Sequence, residues 1–415
     1  MKNTRLWVLI AQLFALWNMP LSQGIADTTD TPQKVVFCSE GSPETLAPSI
    51  SFSATSIDVY LAMYDTLVTY VRGETTLTPS LAEHWQVSKD GKEYTFFLQK
   101  GVKWHSNARF KPTRHFNADD VIFTIERQWK PSHPYYHVTS SNHAYFKSVG
   151  FESLIKAIKK VDDHTVKFTL NEANAGFLAM LSLTITSMQS HEYGMAMLKQ
   201  GTPEIIDTHP IGTGPFSFVS YAKDQKIAFK TFPEYWRGKA KIDELEFLIS
   251  PDANDRWQKI QSNVCHVMPF PKPGDLKLMR NHPNVTVLDQ MGLNVGYLSY
   301  NTTKPPFNDV RVRKALNMAI NKSAILERVY QGAGVSAINL IPPTMWSYNK
   351  QVQDDVFDPV VAKQLLAEAG YPSGFSTDLW AMPVARAYNP NPLLMAHDDS
   401  GRPSAHRCQS RNQKS

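Results

Sequence analysis

The chain has 415 residues, 42% of them hydrophobic and 20% charged, with a formal net charge of +5, enough apolar material for two domains or lobes. The positive balance excludes more than it suggests: Lys2 and Arg5 lie in the first few residues, and residues 398–415 hold four basic and two acidic side chains, so the body between is near +1. Nucleic-acid binding calls for a clustered basic face, and the body has none.

The N-terminus reads as an address. Lys2 and Arg5 give a short basic start, residues 6–17 are almost wholly apolar, Pro20 breaks the run, and Gly24-Ile25-Ala26 offers the small residues a signal peptidase cuts at. Residues 1–26 are therefore expected to be a signal peptide. The apolar run is short for a bilayer core of ~30 Å, and no later run reaches ~18 apolar residues, so the mature chain is not expected to span a membrane. Cys38 lies too far from that run, without small residues before it, to suit a lipid anchor. The other cysteines are Cys265 and Cys408. Export favours a disulfide, and Cys38–Cys265 is the natural pair because Cys408 lies in a differently textured tail. Two buried thiols remain the alternative. No CxxC or Cys/His spacing suggests a metal.

Mixed α/β signals follow. Residues 85–98 read as a hairpin around Asp90-Gly91. Asn117 caps a helix with Asp119 and Asp120 in its first turn and Val121, Ile122, Ile125 and Trp129 on one face. Residues 161–168 are a turn and an alternating strand. Gly212-Thr213-Gly214-Pro215 has no Lys and opens no helix, so it fits a chain reversal better than a phosphate loop. Residues 227–249 supply strands around Tyr235-Trp236-Arg237-Gly238. Beyond Gly292, residues 293–300 read as an apolar strand, then residues 311–320 and 323–330 as two helices. A third helix is capped by Asp358, opened by Pro359, packed through Leu365 and Leu366, and stopped by Gly370 with Pro372 beyond. Residues 378–382 resume a strand. This is the order of a second α/β lobe beginning near residue 295.

Candidate chemistry is sparse. No nucleophile motif or HExxH pattern occurs. His133, His137 and His143 lie in a Pro- and Tyr-rich loop and read as polar side chains of a surface loop. Asp119-Asp120 and Asp162-Asp163 stand at a helix start and a turn, where structure alone favours them. Neither a catalytic residue, a metal site nor a cofactor is expected, and the chain is not expected to be an enzyme. Most of its nine Trp, sixteen Tyr and twenty-one Phe should be core, with a few left to wall a ligand.

Several segments together resemble the dipeptide binders within the peptide- and nickel-binding family of ABC-transporter solute-binding proteins (family 5). They are Cys38-Ser39-Glu40-Gly41-Ser42-Pro43-Glu44, Phe110-Lys111-Pro112-Thr113-Arg114 with Asn117-Ala118-Asp119-Asp120-Val121, and Pro210-Ile211-Gly212-Thr213-Gly214-Pro215-Phe216. Residues 292–301, Tyr330-Gln331-Gly332-Ala333-Gly334-Val335, Ile341-Pro342-Pro343-Thr344-Met345-Trp346 and Leu379-Trp380-Ala381-Met382-Pro383-Val384 continue the likeness, which runs from about Val35 to Met395.

The resemblance implies an α/β, two-lobed periplasmic binding protein of the cluster C type, with an inserted subdomain in the first lobe. It divides the chain into a signal peptide (1–26), a first lobe (27–294) with an insertion (about 66–215), the start of an incomplete second lobe (295–396), and a tail (397–415). It further implies capture of dipeptides or short peptides in the periplasm by a monomer, and delivery to an inner-membrane ABC permease. By this likeness Arg386 pairs with the ligand carboxylate, a task suited to a planar, forked guanidinium. Tyr388 lines the pocket, and the first lobe's disulfide maps onto Cys38 and Cys265. The family's aspartate for the ligand amino group lies in a later Gly/Asp-rich segment that this chain does not contain; a full relative would continue for over a hundred residues.

The tail has an explanation in the reading frame. Codons exist for residues 397–412 that, read one base later, give Met-Met-Ile-Gln-Ala-Asp-Leu-Ala-His-Ile-Gly-Val-Lys-Ala-Glu, similar to the helix and strand expected next in the family. Residues 397–415 are thus read as out-of-frame translation. Ligand alternatives within the fold are haem, glutathione or cationic peptides. An exported hydrolase, or a product without function, are readings of another kind.

Overall fold

A computed structural model of the chain describes residues 33–138, 143–345, 347–382, 386, 388–400 and 408–409. The expected signal peptide, residues 383–385 and 387 beside Arg386, and most of the tail lie outside these residues.

The chain opens with β1 (Lys34–Ser39) and α1 (Ala54–Met63). It then makes an excursion through β2 (Val68–Tyr70), β3 (Leu77–Pro79), β4 (Ala82–Val87), β5 (Glu93–Leu98), α2 (Ala118–Trp129), β6 (Ile155–Asp162), β7 (Thr165–Leu170) and α3 (His191–Lys199). The return brings β8 (Phe216–Ala222), β9 (Lys226–Thr231), β10 (Glu244–Ile249) and α4 (Ala253–Gln261). Two four-stranded sheets result, β1-β10-β9-β8 and β4-β5-β7-β6, beside the short β2-β3 pair. Only β1 and β10 run parallel within the two large sheets; their register starts at Lys34 opposite Glu244.

The hairpin at Asp90-Gly91 forms as its turn residues dictate, with Gly91 at φ +68° where a side chain would strain. On β5, Tyr94, Phe96 and Leu98 turn inward, meeting Val166, Phe168 and Leu170 of β7. This period of two is what a half-buried strand requires. The α2 helix lies against that core through Val121, Phe123 and Ile125. Its cap is a reciprocal pair: the Asn117 side chain accepts from the Asp119 backbone N–H, and Asp120 accepts from that of Asn117. Asp120 is fully buried and, besides the Asn117 bond, accepts two from Arg114 (2.7 and 2.8 Å) and one from the His191 N–H at 2.8 Å. The acidic pair at this helix start therefore serves the fold, joining the starts of α2 and α3.

A second core forms where α1 crosses the other sheet, with Tyr60, Met63 and Tyr64 on Ile227, Phe229 and Phe247. Beneath it, a disulfide joins Cys38 to Cys265, with Cα atoms 5.8 Å apart and both residues buried. It fastens β1 to the segment after α4.

The last third is built differently. Here α5 (Val310–Ala319) packs on α6 (Pro359–Glu368) through Val312, Ala315, Ala362 and Leu366, with Leu316 and Leu365 partly covered. Asp358 caps α6 by accepting from the Val360 and Val361 N–H groups, and Gly370 stops it at φ +92°. The expected helix at 323–330 divides into an α-turn, Lys322–Ile325, and a π-helical turn, Leu326–Tyr330. Two strand expectations are corrected. Residues 293–300 join no ladder, and of the expected strand at 378–382 only Asp378 is paired, as the end of β11 (Thr377–Asp378), in parallel with Cys408–Gln409 (β12) beyond α7 (Pro392–Ser400). The reason is that a continuous apolar run marks a strand covered on both faces, whereas here Leu293, Tyr297 and Leu298 stay exposed and Tyr300 stacks on Phe307. No helix among the described residues is long and apolar enough to cross a membrane.

Candidate functional site

The Arg386 segment is a tight turn. Arg386 and Asn389 exchange both backbone hydrogen bonds, each 2.9 Å, which fixes the backbone beneath an exposed arginine. Two neighbours brace it. The Tyr330 hydroxyl, at the end of the π-helical turn, donates to the Tyr388 carbonyl at 2.7 Å. Gly296 lies against the same carbonyl so closely that a Cβ there would sit 2.6 Å from its oxygen. Only glycine permits that approach. Tyr388 is 37% exposed, with its hydroxyl 3.6 Å from Met382 Sδ. Asn389, which the sequence did not single out, has a buried Oδ1 with no hydrogen-bond partner among the described residues. The structure thus brings Arg386, Tyr388, Asn389, Tyr330 and Gly296 together; Cys38 and Cys265 belong to the disulfide elsewhere in the fold.

A second polar constellation stands where the excursion leaves and rejoins the first sheet. Gly212 and Gly214 cross Met63 at backbone contact: added Cβ atoms would lie 2.0 Å from the Met63 oxygen and 2.5 Å from its carbonyl carbon. Gly212-Thr213-Gly214-Pro215 is therefore a crossing of two chains. Asp65 fastens it, accepting from the Thr213 hydroxyl (2.9 Å), the Tyr235 hydroxyl (3.1 Å) and the Trp236 indole N–H (3.0 Å). Buried His105 completes it. Its Nδ1 accepts from the Gly212 N–H at 3.2 Å, and its Nε2 lies 2.8 Å from the Gly214 oxygen, the pattern of a neutral ring donating through Nε2. Burial pushes its pKa down to about 4.

A third group lies inside the excursion. Arg127, wholly buried, pairs with Asp207 at 3.2 Å, donates to Gln189 at 2.5 Å, and stands over the Tyr135 ring at 5.1 Å. The small cavity bounded by Tyr64, Gln189, Ser190, Tyr193, Ile206 and Ile211, about 10 Å³, has room for one water and no larger ligand. Of the histidines in the loop, His133 packs edge-on to Phe123, His137 lies against Tyr136, and His143 Nε2 bonds the Tyr136 carbonyl at 3.0 Å. Among the described residues no three His, Cys, Asp or Glu side chains converge as metal ligands would.

A family model, that of bacterial extracellular solute-binding proteins, family 5 (middle), matches residues 76–397. The chain belongs to this family. It is 53% identical over 363 residues to the dipeptide-binding protein of Escherichia coli, covering 87% of this chain and 68% of that one. It is 49% identical to heme-binding protein A of Haemophilus influenzae, covering 87% and 66%. Among solved structures, a dipeptide-binding protein from Pseudoalteromonas in complex with Met-Leu superposes with a TM-score of 0.84 at 37% identity, covering 91% of this chain and 76% of that one. The chain thus spans about two thirds of the length of the Escherichia coli and Haemophilus influenzae relatives. Its α/β fold is the two-lobed fold of the family, whose members are named for binding solutes rather than for catalysis.

Proposed function

We propose that this family 5 chain is an exported solute-binding protein that captures dipeptides or short peptides in the periplasm and delivers them, as a monomer, to an inner-membrane ABC transporter. What carries the reading is the likeness to dipeptide binders taken with Arg386, an exposed arginine on a turn braced from two sides. A zwitterionic peptide loses water from both charged ends on capture, so each end needs a fixed partner. Arg386 offers the carboxylate a bidentate one, and Tyr388 supplies an aromatic wall. In this reading residues 1–26 are the signal peptide, residues 27–294 the first lobe with its insertion at about 66–215, and residues 295–396 the start of the second lobe. The connection of β1 with β8, β9 and β10 in one sheet, with residues 64–215 looped out between, supports that division. Residues 397–415 are the out-of-frame stretch.

The heme-binding relative favours a second reading, in which the same fold takes haem. One experiment separates the two. A chimera joins residues 1–396 to the part of the Escherichia coli dipeptide-binding protein that follows the shared region, and is titrated calorimetrically with dipeptides and spectroscopically with haem. Saturable dipeptide binding supports the first reading. Haem binding with no heat from any dipeptide overturns it.

A further inference from the structure

The outer edge of the first sheet is closed by a side chain. Among the described residues β1 stands at the end of its sheet, with β10 on one side. On the other side it meets residues 266–267 in an isolated parallel bridge, Phe37 opposite Val267. There the Cys38 N–H donates to the Val267 carbonyl at 2.8 Å, and the Val267 N–H to the Val36 carbonyl at 3.3 Å. In an evenly spaced parallel ladder the next donor, the Val36 N–H, would find the carbonyl two residues before Val267, that of Cys265. It finds an imidazole instead. The Val36 N–H donates to His266 Nδ1 at 2.9 Å, while the His266 N–H donates back to the Val36 carbonyl at 2.8 Å. One histidine thus serves both backbone groups of a buried strand residue, one through its main chain and one through its ring. Val36, Cys38 and Cys265 form a single buried cluster, so the strand edge held by the ring is also the one that carries the disulfide.

A ring nitrogen accepts a hydrogen bond only while it carries no proton. Once protonated, Nδ1 is a second donor facing the Val36 N–H. The two cannot pair, so the ring must turn away and leave a buried N–H without a partner, a state folded chains rarely tolerate. His266 itself is exposed, so protons reach the ring, and histidine is the side chain whose charge changes between pH 5 and 8. We propose that His266 is a proton-released clasp on β1: neutral, it holds the outer edge shut over the Cys38–Cys265 crosslink; protonated, it lets that edge open to thiol exchange. A dithiol then reduces the crosslink. One of its thiolates attacks a crosslink sulfur, the other protein sulfur leaves as a thiolate, and the second reagent thiol closes the reagent's own disulfide. Around the clasp, Lys34 of β1 and Lys226 of β9 pair with Glu246 of β10 (2.8 and 3.3 Å), and Glu244 stands opposite Lys34 in register. On α4, Lys259 pairs with Asp255, and Arg256 donates to the Ser250 and Pro251 carbonyls (2.9 and 2.7 Å). Two further ionisable groups stand nearby. Asp58 of α1 has its carboxyl pushed up to about 6 by burial and by Glu40 at the end of β1, and His282 lies edge-on to Trp257 of α4. The clasp is independent of which ligand the chain takes.

The test compares the full oxidised chain on either side of the histidine range, at about pH 7.5 and about pH 5. Amide exchange at Val36, corrected for the intrinsic effect of pH on exchange, should be at least about 10-fold faster in acid. Reduction of the crosslink by dithiothreitol is read as the rate of the wild-type chain divided by that of His266→Gln at the same pH, so that the reagent's own ionisation cancels. That ratio should rise at least about 5-fold in acid. His266→Gln, whose amide oxygen accepts at any pH, should keep Val36 protected at both, and His266→Ala should leave it unprotected at both. Asp58→Asn and His282→Asn should retain the wild-type response. Equal protection of Val36 at the two pH values would overturn the proposal, as would a pH response that survives His266→Gln or vanishes in Asp58→Asn. Faster exchange at Val36 without faster reduction overturns it too, because the ring would then guard no disulfide.

Discussion

At Arg386 the physics of recognition comes down to one fork. In the chimera, Arg386→Ala should weaken dipeptide binding by about 2–3 kcal/mol, the usual cost of leaving a charged group without its hydrogen-bonded partner. Arg386→Lys should recover only part, because a point charge cannot engage both carboxylate oxygens; calorimetry reads both. His105 makes the opposite kind of contribution, one that titrates. Unfolded, its ring takes a proton near 6.5; folded, it stays neutral until about 4. The folded pKa is depressed, so the native state binds fewer protons in that interval. The stability this neutral ring provides is present above pH 6.5 and is lost as pH falls toward 4, on the order of 3 kcal/mol across the window. Thermal melts between pH 7 and pH 4 should therefore show a falling midpoint, and His105→Gln should flatten the slope while lowering the midpoint at pH 7. An unchanged slope in the variant would assign the acid sensitivity elsewhere.

Among elements, those legible in the sequence were those whose causes are local. The α2 and α6 helices carry their own caps, Asn117 with Asp120 and Asp358 with Pro359, so their starts could be read without knowing any neighbour. The hairpin of β4 and β5 carries its turn. Residues 293–300 could not be settled this way, because a strand exists only by its partners and the apolar run reports the need without supplying them. The site divides along the same line. Arg386 and Tyr388 were reached through the family likeness, whereas Asp65, His105 and Arg127 escaped notice because their partners lie some 60 to 170 positions away in sequence. Arg127 in particular reads as an ordinary basic residue in the last turn of a helix, yet it is wholly buried. The disulfide is the element-scale device with the largest expected effect. It closes a loop of 227 residues, which in the chain-entropy model stabilises the fold by about 5 kcal/mol. Reduction, or Cys265→Ser, should lower the melting midpoint markedly, and mass spectrometry of non-reduced peptides should recover Cys38 and Cys265 together. Recovery of both as alkylated thiols from exported protein would remove the crosslink from the account.

For the whole molecule, the contrast between a well-packed body up to about residue 285 and a sparsely covered last third predicts uneven stability. The 415-residue chain alone should bind hydrophobic dyes, associate at micromolar concentrations, and bind no dipeptide, with exchange protection confined to the two four-stranded sheets and their helices. A single cooperative transition in a monomer, with dipeptide binding, would contradict this. The parallel pairing of Lys34 with Glu244 has a further consequence, one of timing. Among the described residues β1 is the first strand made, and its parallel partner β10 follows only after more than two hundred further residues. Contacts of such long sequence separation form slowly, so β1 itself stays unpaired until β10 has been made. In the exported protein proposed above, β1 would thus remain unpaired for most of the chain's synthesis, which suits a secretion channel that accepts only unfolded polypeptide.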